Sequence, residues 1–216
     1  MGVFAHAERE ALADTLLRVG PDSPTLCDGW NAADLAAHLV IRESNPAAAA
    51  GIMIKPLAGF TAKAQRAARD REPYEKLVQR VRQGPPVWAP TRISALDEAA
   101  NTIEFFVHHE DLRRGAGDGP RDLDPDLADA LWHRLRRMAR LVFRSAPVGV
   151  TLVRAEVGNL PRQTVVAKAA NPAMVTLSGP VGELLLFANG RKEAAQVELT
   201  GDEPSVAKLR ATKLGV

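Results

Sequence analysis

The sequence predicts an α+β protein, with an all-α bundle over residues 1–146 followed by a small α/β domain over 147–216. Two observations predict it. Up to about residue 145, apolar residues recur at helical spacing in segments separated by Gly- and Pro-rich breaks. Beyond that point the chain turns to Val- and Thr-rich runs of strand character, interleaved with short helical stretches. A length of 216 residues is enough for both units to have a core.

Residues 3–19 read as an amphipathic helix. Phe4, Leu12, Leu16 and Leu17 share one face among Glu8, Arg9, Glu10 and Asp14, and Gly20-Pro21 stops it. Residues 21–30 form a loop crowded with turn-formers. A helix follows over 31–43: Asn31 is a good N-cap, and Asp34 supplies the acidic half of a capping box. Its apolar stripe is Leu35, Leu39 and Val40, with His38 beside them. The stretch 47–59, Ala-rich and then broken by Gly51, Pro56 and Gly59, fits either an interrupted helix or a crossover. Residues 62–69 read as a basic, exposed helix, and 74–82 as a short amphipathic one ended by Gly84-Pro85-Pro86. A long central helix spans 92–114, with Thr91 or Ser94 as its cap, and breaks at Gly115. Another covers 125–143, with Leu127, Leu131, Leu135, Met138 and Val142 as its stripe. In the second part, 148–157 and 163–168 pair as a hairpin with a long loop. Residues 173–178 and 196–200 read as strands, and 180–188 and 204–213 as helices.

Hydrophobic residues make up 46% and charged residues 25%, an ordinary globular balance, and the net charge of +2 points to no nucleic-acid partner. Charges stand where a signal peptide would need its apolar core, and no apolar run approaches a membrane span. The expectation is a soluble cytoplasmic protein, monomer or homodimer, whose partner is a small-molecule substrate or thiol. The single Cys27 excludes an intramolecular disulfide and cysteine-based zinc fingers.

The chemistry concentrates in the central helix. Glu104 and His108 are four residues apart, so they lie one above the other on one helix face. Carboxylate oxygen and imidazole nitrogen both suit a divalent transition metal. A third ligand has to come from a different helix, and among five histidines His38 is the best placed, because its neighbours turn that face towards the core. Three protein ligands leave a position open for water or substrate, as in catalytic zinc sites. The rival reading makes Glu104 and His108 an ordinary polar pair. His109 points elsewhere, as a surface or outer-shell residue, although it or Asp111 could replace one of the three; His6 and His133 face solvent. Cys27 is either a thiol near the metal or a small buried filler, Trp30 a packing residue or a site wall, and Asp34 a cap or an outer-shell partner.

The run Thr25-Leu-Cys-Asp-Gly-Trp30, with Asp34-Leu-Ala-Ala-His38-Leu-Val after it, resembles the first signature of the actinobacterial mycothiol-dependent maleylpyruvate isomerase family. Glu104-Phe-Phe-Val-His108-His109-Glu110-Asp111-Leu-Arg-Arg resembles the second. That family belongs to the DinB-like four-helix-bundle metalloproteins, and the resemblance covers about residues 1–145. It implies a metal triad of His38, Glu104 and His108, with Zn2+ as the fitting ion. Many DinB-like relatives carry His where Glu104 stands, so Glu points to the isomerase branch. The segment 175–191 resembles the strand-to-helix part of a sterol carrier protein-like domain, which would either cover a ligand pocket or stabilise the bundle. The implied activity is isomerisation or thiol transfer on a small electrophilic or acidic metabolite, with mycothiol as co-substrate. The alternative is a non-catalytic metal-binding sensor or small-ligand carrier. Catalytic residues other than metal ligands are not identified by the resemblance.

Overall fold

Among the described residues, helix α1 (Val3–Val19) and helix α5 (Ser94–Gly115) form the most extensive helix pair. The computed structural model describes residues 3–45, 56, 58–89, 93–170 and 172–215. Most of the stretch read as a broken helix or crossover, and the Thr91 cap, lie outside the described residues. The free amides at the start of α1 are satisfied from α5: Phe4 and Ala5 donate to Glu98 Oε2, each at 3.2 Å. A carboxylate there also meets the positive end of the α1 dipole.

Helix α2 (Ala32–Ser44) opens with the expected capping box. The Asp34 amide donates to Asn31 Oδ1 at 3.0 Å, and the Asn31 amide to Asp34 Oδ2 at 3.2 Å. Helix α3 (Ala58–Arg71) packs on α2, and helix α4 (Tyr74–Gln83) packs on α1 and α2. Gly84, at φ 75°, ends α4 in a conformation that favours glycine. These helices enclose a core that includes Leu12, Leu16, Leu35, Leu39, Leu77, Phe105 and Leu112. The helix read as exposed over 62–69 turns Thr61, Ala64 and Ala68 inward, at helical spacing, and is half-buried.

Two residues assigned to the polar face of α1 are buried instead. Arg9 is fully enclosed, Glu8 is buried, and Leu17 is exposed. The reason is pairing, because a charge leaves water only with a partner. The Arg9 guanidinium is bidentate on Glu43 of α2, Nη1 to Oε2 and Nη2 to Oε1, both at 2.6 Å. Its Nη1 also donates to the Val81 carbonyl of α4 at 3.1 Å. From α5, Asp97 Oδ1 stands 3.6 Å from Nη2, and the Phe105 ring lies 4.3 Å beneath the guanidinium. Asn101 donates to Asp97 at 2.7 Å and to Glu43 at 3.3 Å.

The chain divides into two compact units, 1–120 and 121–216, so the division falls before the expected boundary at 146. The difference is helix α6 (Pro125–Val142), assigned above to the bundle. Its buried side is Ala128, Leu131, Trp132, Leu135 and Ala139, and it packs on strand β2 (Gln163–Lys168) and helix α7 (Val181–Ala188). Trp132 is fully buried and donates its indole N–H to Gln163 at 2.5 Å. Buried Arg154 ties α6 to the sheet through Asp129 at 3.0 Å.

The sheet of this second unit runs β2-β1-β3-β4, with β1 (Gly149–Arg154), β3 (Met174–Gly179) and β4 (Glu198–Thr200). The predicted β1–β2 hairpin is present and antiparallel. Strand β1 also pairs in parallel with β3, which pairs antiparallel with β4. Every residue of α7 is buried, and α8 (Glu203–Ala211) packs on β3. The architecture is thus a multi-helix bundle followed by a small mixed α and β unit. No helix among the described residues is long and apolar enough to cross a membrane.

Arg9→Met should be strongly destabilising, because it leaves Glu43 and Asp97 buried together without their cation. Urea unfolding is expected to show a loss of about 3–5 kcal/mol, the range for breaking a buried ion pair. A loss below about 1 kcal/mol, typical of exposed pairs, would contradict this role.

Candidate metal centre

Helices α2 and α5 bring His38, Glu104 and His108 together. Glu104 Oε1 lies 3.6 Å from His38 Nε2 and 3.2 Å from His108 Nε2. The two imidazole rings meet edge to face, 5.1 Å between centroids. Tetrahedral donors at about 2.0–2.1 Å from one ion stand about 3.3–3.4 Å apart, so the observed spacings need little adjustment. Both histidines are buried, while the Glu104 side chain keeps 27% of its exposure and gives the site a wet edge.

Each histidine is oriented through its other nitrogen. Asp111 Oδ2, one turn further along α5, is 3.0 Å from His108 Nδ1. The amide nitrogen of Gln65 on α3 is 2.9 Å from His38 Nδ1. Such outer partners fix which nitrogen faces a metal. His38 Nε2 itself is buried and has no hydrogen-bond partner. Arg42, one turn after His38, places Nε 3.1 Å from Glu104 Oε1 and donates Nη1 to Asn101 at 2.5 Å.

The loop before α2 closes another side. Trp30 lies with its ring 5.0 Å from that of His38, so it both packs on the core and walls the site. Cys27 is half-buried and its thiol donates to Asp111 Oδ2 at 3.2 Å. The loop is laced to itself by Thr25, which donates to the Trp30 carbonyl at 2.9 Å and accepts from the Cys27 amide at 3.1 Å. It is laced to α5 by the Leu26 amide, which donates to the Asp111 carbonyl at 3.0 Å. This approach requires Gly115: a Cβ there would stand 2.4 Å from both the Pro24 oxygen and the Thr25 Cα. Among the described residues, two groups of three therefore have donor atoms close enough for one ion. They are His38/Glu104/His108 and Cys27/His108/Asp111.

His109 does not join them. It is buried rather than at the surface, with Nε2 2.9 Å from Thr15 Oγ1 and Nδ1 3.2 Å from Glu8, both on α1. Having these partners explains how a second histidine fits inside the bundle. His6 and His133 are exposed, as expected.

Burial works against positive charge on His38 and lowers its pKa, with the nearby Glu104 carboxylate opposing this. Burial also opposes ionisation of Glu104, but the hydrogen bond from His108, the nearby His38 ring and the charge of Arg42 outweigh it. They hold the carboxyl well below its ordinary range. For His108, burial is outweighed by hydrogen bonds with Asp111, Cys27 and Glu104, which raise its pKa well above the ordinary imidazole value. In the absence of metal, both shifts favour a carboxylate at Glu104 and an imidazolium at His108.

No family model matches the chain, and no curated protein matches it. Solved structures do. The crystal structure of the mycothiol-dependent maleylpyruvate isomerase is similar at a TM-score of 0.56 and 17% identity, with 94% of this chain and 92% of that chain covered. A histidine-to-alanine mutant of that isomerase matches over the same shares, at a TM-score of 0.56 and 16% identity. At such identity the likeness is one of fold, and it runs over nearly the whole of both chains.

The metal-free pair has a definite pH signature. Depressed Glu104 contributes stability that is present above 4.5 and lost as pH falls through its lower folded value. Raised His108 contributes stability that is present below 6.5 and lost as pH rises through its higher folded value. Melting curves of chelator-treated protein and of Glu104→Gln should differ most between 4.5 and 6.5 and converge on either side. A difference independent of pH would contradict the assignment.

Proposed function

We propose that the chain is a zinc-binding enzyme that uses a low-molecular-weight thiol, mycothiol by its likeness in fold. It would act as an isomerase or thiol transferase on a small electrophilic or acidic metabolite. His38, Glu104 and His108 are the metal ligands. The observation that carries this reading is the buried, partnerless His38 Nε2, which faces the same carboxylate oxygen as His108 Nε2. A buried ring nitrogen without a partner is costly, and a cation between these three atoms removes the cost. Two nitrogens and one oxygen, with a fourth position open, suit zinc.

A bound ion would supply Lewis acidity, lowering the pKa of a coordinated water or thiol towards neutrality. The protein's own contribution is orientation and charge. Asp111 keeps the proton of His108 on Nδ1 and so frees Nε2. The Gln65 amide nitrogen faces His38 Nδ1 at 2.9 Å, and turning the amide over so that its oxygen accepts from Nδ1 would do the same for His38. Arg42 balances Glu104 and leaves a positive edge beside the exposed side of the carboxylate, where an acidic substrate would be drawn. Trp30 covers one flank of His38 and excludes water there.

Elemental analysis of purified or zinc-reconstituted protein should find about one zinc per chain, lost in both His38→Ala and Glu104→Ala. Zinc retained in full by His38→Ala would remove that ligand. With zinc bound, the protein should turn over at least one pair in a screen of thiols against small electrophiles and unsaturated acids. Zinc binding without turnover of any pair would leave a metal-binding sensor or carrier. Gln65→Leu, which keeps all three ligands, should weaken zinc binding by about 10–100-fold in a chelator competition. Unchanged affinity would mean that Gln65 does not orient His38.

A further inference from the structure

The second group of donors, Cys27, His108 and Asp111, lies on the opposite edge of the same imidazole ring. We propose that it is a separate binding mode for thiophilic cations such as cadmium, alternative to zinc at His38, Glu104 and His108. Binding at the second group stands on its own geometry, whereas its exclusivity with zinc rests on the zinc site proposed above.

The spacings are those of a ligand set. Asp111 Oδ2 is 3.2 Å from Cys27 Sγ and 3.0 Å from His108 Nδ1. Donors of a tetrahedral zinc-sized ion at about 2.0–2.3 Å stand about 3.3–3.6 Å apart, and a larger thiophilic ion such as cadmium requires a further outward movement, which the half-buried Cys27 loop side leaves room for. Asp111 is fully buried and His108 nearly so, and an enclosed cation needs its charge matched. A thiolate, a carboxylate and a neutral imidazole cancel a divalent ion completely. His38, Glu104 and His108 leave one positive charge over. The sulfur donor also favours softer metals over the nitrogen and oxygen donors of the other set.

His108 makes the two modes exclusive. Neutral imidazole has one lone pair and one N–H, so it serves one set at a time. With Nε2 on metal, the Nδ1 proton is held by Asp111. With Nδ1 on metal, the Nε2 proton is held by Glu104 at 3.2 Å. Each set's carboxylate is thus the outer partner of the other's histidine. On entry of the soft ion, the Cys27 thiol proton leaves to solvent and a metal–sulfur bond forms, with no change of oxidation state. His38 and Glu104 then lose the ring they share an ion with, so a thiophilic metal empties the zinc site without touching two of its ligands. Gly115 belongs to this device, because it lets the Cys27 loop reach Asp111.

The test is a cadmium titration of the full-length, chelator-treated protein, followed by the ultraviolet thiolate-to-metal charge-transfer band. Wild type and His38→Ala should both develop the band at one ion per chain, and cadmium loading should block zinc uptake by the wild type. Cys27→Ser and Cys27→Ala should lack the band and bind cadmium more than about 100-fold more weakly, beyond the range for an outer partner. Their circular dichroism should match wild type. No band in wild type overturns the proposal whatever the variants do. So does cadmium affinity that survives in a folded Cys27 variant, or simultaneous binding of cadmium and zinc to one chain. Zinc retention by His38→Ala is a separate outcome that bears only on the proposed enzyme.

Discussion

The buried ion pair of Arg9 and Glu43 is the interaction on which the first unit depends. It joins α1 to α2 directly, reaches α4 through the Val81 carbonyl, and engages α5 through Asp97 and the face of Phe105. Four helices that pack mostly through non-directional apolar contact thereby acquire one register. Its influence extends to the candidate metal centre. Asn101 bonds Glu43 and Asp97 on one side and accepts from Arg42 on the other, and Arg42 contacts Glu104. For Glu104 to act as the ligand proposed above, its carboxylate would need such a frame.

The centre itself follows from helix periodicity applied twice. On α5, steps of four and three residues from Glu104 give His108 and then Asp111, the proposed ligand pair and the partner that orients it. On α2, a step of four from His38 gives Arg42, so the ligand and the balancing cation share a face. What periodicity does not supply is the third side. That comes from the loop carrying Cys27 and Trp30, which closes on α5 at a position where only glycine fits.

Much of this was legible in the sequence, and the departures have physical causes. The helix limits, the Asn31–Asp34 capping box and the β1–β2 hairpin follow from local patterns. The meeting of His38 with Glu104 and His108 follows from requiring a buried histidine to find a partner. Arg9, Glu8 and His109 read as surface residues because local pattern cannot see that their partners arrive from distant helices. Gln65 sits in a basic stretch that reads as exposed, yet Thr61, Ala64, Gln65 and Ala68 follow helical spacing and mark an inner face. Helix α6 reads as part of the bundle because it follows a run of helices, whereas it falls in the second unit. Its Trp132 and the Asp129 partner of Arg154 belong with the sheet, a pairing across at least 25 residues that no local signal announces. Cys27 lies in a loop without periodicity, and only the close approach at Gly115 reveals which way it faces.

The central claim is that one zinc ion is held by His38 Nε2, a Glu104 oxygen and His108 Nε2. The most direct measurement is the anomalous scattering of zinc-soaked crystals of the wild-type protein, recorded on both sides of the zinc edge. The account predicts a single strong peak at about 2.0–2.2 Å from those three atoms, with Asp111 still on His108 Nδ1. A zinc peak between Cys27, Asp111 and His108 Nδ1, or no ordered zinc within the bundle, would contradict it.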